Sequence, residues 1–176
     1  IYTSFDPQLQ AIADRVYEDK SLFPANASDG TLLQSAMAVV DTRSGAVLAM
    51  IGGRSYTTRR GLNRATQMRR QPGSALKPLA VYGPALELGY TTASVLLDEK
   101  TSFGSYTPRN AGDRYYGLVT MRTAVRNSLN TTAVRLLEEI GMDASVRYLQ
   151  KLGIPVQDSD RNLSLALGSM SYGVTP

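Results

Sequence analysis

Apolar residues recur at helical spacing near the start of the chain. Asp6 can cap a helix, and Pro7 suits the first helical position because it needs no backbone N–H there. The residues that share one face are Leu9, Ile12, Ala13, Val16 and Tyr17. The pattern predicts a helix from Pro7 that buries this face, followed by a polar loop over residues 21–30.

Two short runs of β-branched and apolar residues follow, at residues 36–40 and 46–51. The polar segment between them, Asp41-Thr42-Arg43-Ser44-Gly45, is typical of a turn. The pattern predicts an antiparallel hairpin with a five-residue turn. The next segment, residues 52–70, is rich in Gly, Arg and Thr and is expected to be irregular.

A second helix is predicted to begin near Ser74, after the turn Gln71-Pro72-Gly73, and to end at Gly89. Its apolar positions, expected in the core, are Leu76, Leu79, Ala80, Gly83 and Leu86. Pro, Gly, Asn and several Tyr residues then favour a loop over residues 90–118.

The remainder of the chain has helical patterning, with Gly141 and Gly153 as stops. The expected caps are Thr120, Thr131 and Asp143. The expected core positions are Ala124, Val125, Ala133, Leu136, Leu137, Ile140, Val146, Leu149 and Leu152. The elements predict an α/β fold of the α+β kind, with an antiparallel sheet flanked by helices in one domain over residues 1–176. Two strands make too small a sheet, so further strands are expected beyond Pro176.

Composition excludes several reaction classes. The 176 residues include no His and no Cys, which rules out Ser-His-Asp triads, Cys-His dyads, disulfides and His-ligated metal sites. We assign no metal ligand and no cofactor. The net charge of +4 is spread along the chain, with Arg59-Arg60 and Arg69-Arg70 the densest pairs. These pairs have no interleaved aromatic residues, so a solvated face is expected and no nucleic-acid partner.

Without His or Cys, an activated nucleophile has to be Ser, Thr or Lys. Ser74 and Lys77 lie three positions apart, so a helix places the Lys77 amine beside the Ser74 hydroxyl. Lysine acts as a base only when neutral, and burial lowers its pKa toward that state. The N–H groups at the same helix start would face a developing oxyanion. Pro78 should leave the Ser74 carbonyl without its usual helical donor.

A single Ser-x-x-Lys pattern is expected about once by chance in a chain of this size, so a second element matters. Ser128-Leu129-Asn130 lies where one predicted helix ends and another begins. Such residues are common at helix junctions for structural reasons. A Ser-Lys nucleophile also needs a proton route to the leaving amine, which a hydroxyl at Ser128 could supply. The carboxamide of Asn130 could hold a substrate amide.

The segment Arg70-Gln71-Pro72-Gly73-Ser74-Ala75-Leu76-Lys77-Pro78 resembles the nucleophile segment of class A penicillin-binding proteins. Other segments resemble the same family in the same order, and together they cover nearly the whole chain. They are residues 46–56, 62–66, 106–110, 115–117, 128–135, 165–168 and 172–176.

This resemblance implies a serine β-lactamase/D,D-peptidase-like fold whose C-terminal strands are missing here. It implies a D-Ala-D-Ala transpeptidase that β-lactams inhibit. Ser74 would attack the penultimate D-Ala carbonyl of a peptidoglycan stem peptide, with Lys77 as base and Ser128 as proton relay. Asn130 would orient the peptide or a β-lactam. The stretch 165–176 would support the floor of the substrate site through Gly168 and Tyr172.

The resemblance also implies the setting of the parent protein. Its partners would be stem peptides, lipid II-derived glycan and β-lactam antibiotics. It would carry a glycosyltransferase domain and a membrane anchor and act on the extracytoplasmic face of a bacterial membrane, where the cell wall is made.

One departure from the family pattern is the lack of its third motif, Lys-Thr-Gly or Lys-Ser-Gly. We expect this motif beyond Pro176, and we expect the 176-residue chain alone to be acylated poorly or not at all. The alternatives are a serine β-lactamase, a D,D-carboxypeptidase or a non-catalytic scaffold fragment of the same fold. Class A β-lactamases use a Glu for deacylation, and no Glu follows Glu139.

Overall fold

The computed structural model describes residues 2–55 and 58–176. Tyr56, which closes the matched segment 46–56, lies outside the described residues. Helices and antiparallel strands are mixed, as the α+β prediction requires. The chain divides into two compact units, one made of residues up to 70 with 174–176 and the other of residues 71–173. Among the described residues, no helix combines the length and apolar character needed to cross a bilayer.

The first unit combines two helices with one hairpin. Its elements are α1 (Pro7–Glu18), a 3-10 turn (Lys20–Leu22), β1 (Met37–Val40), β2 (Val47–Ile51) and α2 (Arg64–Gln67). The predicted start of α1 is confirmed, because Asp6 Oδ1 accepts hydrogen bonds from the backbone N of Gln8 at 2.8 Å and of Leu9 at 3.2 Å. The irregular segment predicted over residues 52–70 was wrong where α2 forms, with Asn63 as its cap.

The buried face of α1 is rotated from the predicted one. Ala13 is buried, but Ile12 and Val16 are 48% and 42% exposed, so these two core assignments were wrong. The reason is a polar contact with β2. The side-chain amide of Gln10 donates to the backbone O of Met50 at 3.1 Å and accepts from its N at 3.0 Å, which brings Gln10 to the inner side.

The predicted hairpin is confirmed. β1 pairs antiparallel with β2, with Met37 opposite Ile51 and an irregularity in register between Val39 and Val40. The turn is closed by a hydrogen bond from the N of Gly45 to the O of Asp41 at 2.8 Å.

The second unit carries the predicted chemistry. Its α-helices and strands are α3 (Gly83–Glu87), β3 (Val95–Asp98), β4 (Gly117–Thr120), α4 (Met121–Arg126), α5 (Asn130–Ile140) and α6 (Met142–Lys151). Shorter 3-10 turns lie at Ala111–Asp113, Asp158–Asp160 and Leu163–Leu167.

The helix predicted from Ser74 starts there but changes type along its length. A 3-10 turn (Gly73–Leu76) and a π-helical turn (Pro78–Tyr82) precede α3. The Ser74 carbonyl lacks its usual helical donor at position 78, as expected, but accepts a hydrogen bond from the N of Lys77 instead. The tighter 3-10 bonding supplies the donor that Pro78 cannot. Leu86 is 47% exposed, which contradicts its predicted place in the core.

The loop predicted over residues 90–118 was wrong in part, because it contains β3 and the first two residues of β4. β3 pairs antiparallel with β4, with Val95 opposite Thr120 and Asp98 opposite Gly117. Each strand has four residues, and β3 ends in a buried carboxylate. A run this short that includes Asp and Gly lacks the alternation that indicates a strand.

The helix α5 lies at the centre of this unit and is buried along most of its length. Its end at Gly141 is confirmed, with a φ of +84°. Most of the predicted core positions are buried. The exceptions are Ile140, which is half-buried, and Val125 and Leu152, which are 43% and 48% exposed and were wrongly assigned to the core.

Two of the three predicted helix caps were also wrong. Thr120 does cap α4, by accepting from the N of Thr123 at 3.2 Å. Thr131 instead lies inside α5, fully buried, and Asp143 lies inside the first turn of α6 after Gly141.

Candidate active site

The amine of Lys77 is buried in a cage of oxygen atoms. The residue is 2% exposed, and its Nζ lies 2.6 Å from Oδ1 of Asn130 and 2.7 Å from the backbone O of Ser128. The hydroxyl of Ser128 and the carbonyl of Leu129 lie at 3.1 Å and 3.3 Å. The structure therefore brings together three of the predicted site residues, Lys77, Ser128 and Asn130.

Burial lowers the pKa of Lys77 to about 8. An ammonium group has three N–H donors, so four oxygen neighbours satisfy it fully. Three of these oxygens, the two carbonyls and Oδ1 of Asn130, can only accept. The Ser128 hydroxyl can both accept and donate, so within this cage it is the group through which a proton can leave or reach Nζ.

Ser128 is held by the backbone geometry that ends α4. Its N donates to the O of Val125 at 3.0 Å, and the N of Leu129 donates to the O of Ala124 at 3.0 Å. This pair of bonds is a Schellman motif, in which the residue at the Ser128 position adopts a left-handed conformation and is usually Gly. Ser128 has a φ of +50°, a conformation that costs a residue with a Cβ about 1 kcal/mol.

The carboxamide of Asn130 is fixed at both ends. Its Nδ2 donates to the backbone O of Arg109 at 2.6 Å, while its Oδ1 accepts from Lys77. The carbonyl of Arg109 can only accept, so it sets the amide orientation and directs Oδ1 at the amine. One N–H of Nδ2 remains for a further acceptor.

Ser74 lies on the 3-10 turn that precedes Lys77 and is exposed. Within residues 2–55 and 58–176 its hydroxyl makes no hydrogen bond, and the predicted contact with the Lys77 amine is not formed. The amine instead faces the α4–α5 junction. A solvent-accessible hydroxyl is in a position to meet a substrate.

Gly168 and Tyr172 have different surroundings. Gly168 ends the 3-10 turn Leu163–Leu167 with a φ of +77°, and a Cβ placed on it would lie 2.0 Å from the backbone O of Gly73. It therefore packs against the residue that precedes Ser74. Tyr172 is 68% exposed, and no hydrogen bond to its side chain occurs among the described residues.

Sequence reasoning missed two buried residues behind this site, Asp98 and Asn110. Asp98 is fully buried and Asn110 is 6% exposed. Asn110 fell within a segment that resembles the family, which gave it no role. The signal for Asp98 was a charged residue directly after the apolar run 95–97. Among the described residues no cluster of acidic side chains is arranged to hold a metal ion.

The chain is similar to known proteins of one family. The family model "Penicillin binding protein transpeptidase domain" matches residues 35–165. Penicillin-binding protein 1F of Bacillus subtilis is 42% identical over 177 residues, covering 100% of this chain and 24% of the relative. The chain thus spans about a quarter of the length of the curated relatives it matches.

Solved structures have the same fold. Penicillin-binding protein 1A from Haemophilus influenzae is 31% identical with a TM-score of 0.69, covering 82% of this chain and 23% of that protein. The penicillin-binding protein PonA1 from Mycobacterium tuberculosis is 25% identical with a TM-score of 0.78, covering 97% of this chain and 45% of the other. The predicted fold class is confirmed.

Proposed function

The chain belongs to the penicillin-binding protein transpeptidase domain family, and from this membership we propose that it is part of a peptidoglycan D,D-transpeptidase. It acts through an acyl-enzyme on Ser74. The observation that carries the proposal is the buried amine of Lys77, which lies 3.1 Å from the Ser128 hydroxyl and three residues from an exposed serine. A buried amine with a lowered pKa next to a hydroxyl is the combination that serine acylation without histidine requires.

Acylation begins when the Ser74 oxygen attacks the carbonyl carbon of the penultimate D-Ala of a stem peptide. Neutral Lys77 takes the serine proton; the Ser128 hydroxyl then gives its own proton to the nitrogen of the terminal D-Ala and is reprotonated by Lys77. The peptide bond breaks and an ester with Ser74 forms. An amine of a second stem then attacks the ester and gives its proton back through the same groups, so that Ser74 is released with its hydroxyl restored.

The other predicted residues support this reaction. Asn130 keeps one Nδ2 hydrogen for a peptide or β-lactam carbonyl, since the rest of its amide is engaged by Lys77 and Arg109. Gly168 fixes the backbone before Ser74 through its close approach to Gly73. Tyr172, being exposed, is available to contact the substrate.

We extend the proposal to the full-length protein. The family match runs across residues of both compact units, which supports treating residues 1–176 as part of one transpeptidase domain. The full-length protein carries a glycosyltransferase domain and a membrane anchor. It works on lipid II-derived glycan at the extracytoplasmic face of the membrane, and β-lactam antibiotics inhibit it by acylating Ser74.

The test is covalent labelling of the full-length enzyme with a fluorescent penicillin, followed by peptide mapping by mass spectrometry. We expect one adduct, on Ser74, and its loss in Ser74→Ala. Ser105→Ala is the matched control, because Ser105 is also exposed and should leave labelling unchanged. An adduct on another residue, or undiminished labelling of Ser74→Ala, contradicts the proposal.

Two further measurements separate the related activities. The lifetime of the penicilloyl adduct should be long for a transpeptidase and short for a β-lactamase, and a scaffold should give no adduct. Products from a synthetic stem pentapeptide distinguish cross-linked dimer from the tetrapeptide that a carboxypeptidase releases. The isolated 176-residue chain should label slowly or not at all, and rapid stoichiometric labelling would contradict that expectation.

A further inference from the structure

The N-terminus of α5 is capped by a residue from outside the helix. The cap position is occupied by Leu129, whose side chain has no hydrogen-bonding atom, and no side chain at that position caps the helix. Instead, Oδ1 of Asn110 accepts from the backbone N of Asn130 at 2.7 Å and of Thr131 at 3.2 Å. Asn110 thus satisfies two N–H groups that the first turn of a helix leaves without partners.

Asp98 fixes the orientation of that capping amide together with the backbone O of Arg114, which accepts from Nδ2 of Asn110 at 2.9 Å. Oδ1 of Asp98 accepts from Nδ2 of Asn110 at 2.8 Å and from the hydroxyl of Thr131, and its Oδ2 accepts from the N of Tyr116 at 2.9 Å. Each of these contacts is accepted by the Asp98 side chain, so the NH₂ group of Asn110 faces it. The Asn110 oxygen is then directed at α5.

Asp98 has no positively charged partner among the described residues. A fully buried carboxylate without a cation is costly even when it is hydrogen-bonded. A neutral residue could fill the same space at lower cost. The arrangement is therefore better explained by what the carboxylate positions than by a gain in stability.

The next link runs from this pair to the Lys77 amine. Asn110 holds the backbone N of Asn130, and the neighbouring carbonyl of Arg109 holds its side-chain Nδ2. The backbone N and the side-chain Nδ2 of Asn130 are therefore both hydrogen-bonded to residues 109–110. Its Oδ1 is left to face Nζ of Lys77 at 2.6 Å.

We propose that Asp98 and Asn110 are positioning residues, which act through Asn130 to hold the Lys77 amine in place for acylation. The inference rests on the proposed function, because acylation is its readout. Both residues are buried, so neither is placed to touch a substrate. They set the orientation of the Asn130 side chain, whose Oδ1 contacts the Lys77 amine.

Three variants of the full-length enzyme test the proposal. In Asn110→Asp the cap acceptor remains, but a second carboxylate faces Asp98 where an N–H donated at 2.8 Å. In Asp98→Asn the new NH₂ group faces either the backbone N–H of Tyr116 or the NH₂ group of Asn110, depending on the amide orientation. In both orientations two donors face each other. The double variant exchanges the two groups, so an amide on residue 98 donates to a carboxylate on residue 110 and α5 keeps its cap. Both variants with Asp at position 110 lose the donor that the backbone O of Arg114 has at 2.9 Å, so they differ only at residue 98.

The rate of acylation of Ser74 by a fluorescent penicillin is measured per folded molecule, at a temperature well below every variant's melting point. We expect Asn110→Asp to be slower by about tenfold or more, since a buried hydrogen bond becomes a repulsion. Asp98→Asn should be slower by a few fold. The double variant should be several-fold faster than Asn110→Asp, because it removes the repulsion between residues 98 and 110. Rescue by the exchange is not expected of a residue that only stabilises the fold.

Wild-type rates per folded molecule in both single variants would overturn the proposal, as would a double variant no faster than Asn110→Asp. Should Asn110→Asp fail to fold, Asp98→Asn still decides, because a wild-type rate in that variant would overturn the proposal. Failure of the proposed function looks different, because the wild-type enzyme itself would then lack an adduct on Ser74.

Discussion

The side-chain oxygen Oδ1 of Asn130 lies 2.6 Å from Nζ of Lys77, although 53 positions separate the two residues in sequence. The contact joins the start of α5 to the turn that carries Ser74. Since Oδ1 can only accept, it favours the charged amine, whereas burial disfavours it and lowers the pKa of Lys77 to about 8. The balance of these two effects decides how much neutral amine is available as a base.

Acylation of the full-length enzyme should rise with pH through the pKa of Lys77. The sign follows from burial, which lowers the pKa from its ordinary value to about 8, so the amine loses its proton as pH rises through that value. The rate constant for fluorescent-penicillin labelling, measured from about pH 6 to about pH 10, should climb and level off above the midpoint.

Lys77→Arg is the control, because a guanidinium does not deprotonate in this range. We expect labelling to be slower by about a hundredfold or more and to show no rise with pH. A wild-type rate that stays constant across pH 8 would contradict the assignment of Lys77 as the base.

Ser128 should be dispensable for the turn but not for the chemistry. Its φ of +50° is one that Gly adopts without strain, so Ser128→Gly should keep or raise the melting temperature, whereas Ser128→Ala should keep the strain. Both variants lose the hydroxyl that lies 3.1 Å from Lys77. We therefore expect acylation to fall by about a hundredfold in each, as measured by penicillin labelling.

The two Ser128 variants together separate stability from catalysis. If Ser128→Gly is at least as stable as the wild type and still acylates slowly, the loss belongs to the hydroxyl. Wild-type acylation in Ser128→Gly would show that the hydroxyl is not the proton relay.

The sequence predicted the elements whose pattern is local. The start of α1, the β1–β2 hairpin and the end of α5 at Gly141 are determined by a cap, a turn and a glycine close in sequence. Residues three apart, such as Ser74 and Lys77, could also be placed on one turn. The predicted contact between their side chains did not form, since tertiary acceptors 51 to 53 positions away hold the amine.

What sequence reasoning missed depends on contacts between distant residues. Asp98 ends a four-residue strand, and its partners Asn110, Tyr116 and Thr131 come from separate segments. Thr131 was expected to cap α5 because its own sequence neighbourhood favours a cap. The cap comes from Asn110 instead, and no local pattern indicates a donor or acceptor twenty residues away.

Asn130→Asp should raise the pKa of Lys77 and slow acylation. The change is nearly isosteric. It places a carboxylate beside the Lys77 amine, which in the wild type contacts the amide oxygen of Asn130 at 2.6 Å. An adjacent opposite charge favours the ammonium form, so the midpoint of the pH–rate profile should move upward. Acylation near pH 7 should fall by about tenfold or more, since less neutral amine is present.

Asn130→Ala is the uncharged control for that substitution. It removes the same oxygen without adding a charge, so we expect no upward movement of the midpoint. A midpoint that rises equally in both variants would mean that the carboxylate is not the cause.

Gly168→Ala should destabilise the protein and disturb the turn that carries Ser74. The new Cβ would lie 2.0 Å from the backbone O of Gly73, and the alanine would have to adopt a φ of +77°. Gly153→Ala is a closely matched control, because Gly153 has a φ of +74° with no atom within 4 Å of the added Cβ. The control measures the conformational cost alone, about 1 kcal/mol. We expect a larger loss in free energy of unfolding for Gly168→Ala, and slower labelling of Ser74 in the molecules that remain folded. Equal losses and equal labelling in the two variants would show that the contact with Gly73 does not position the nucleophile.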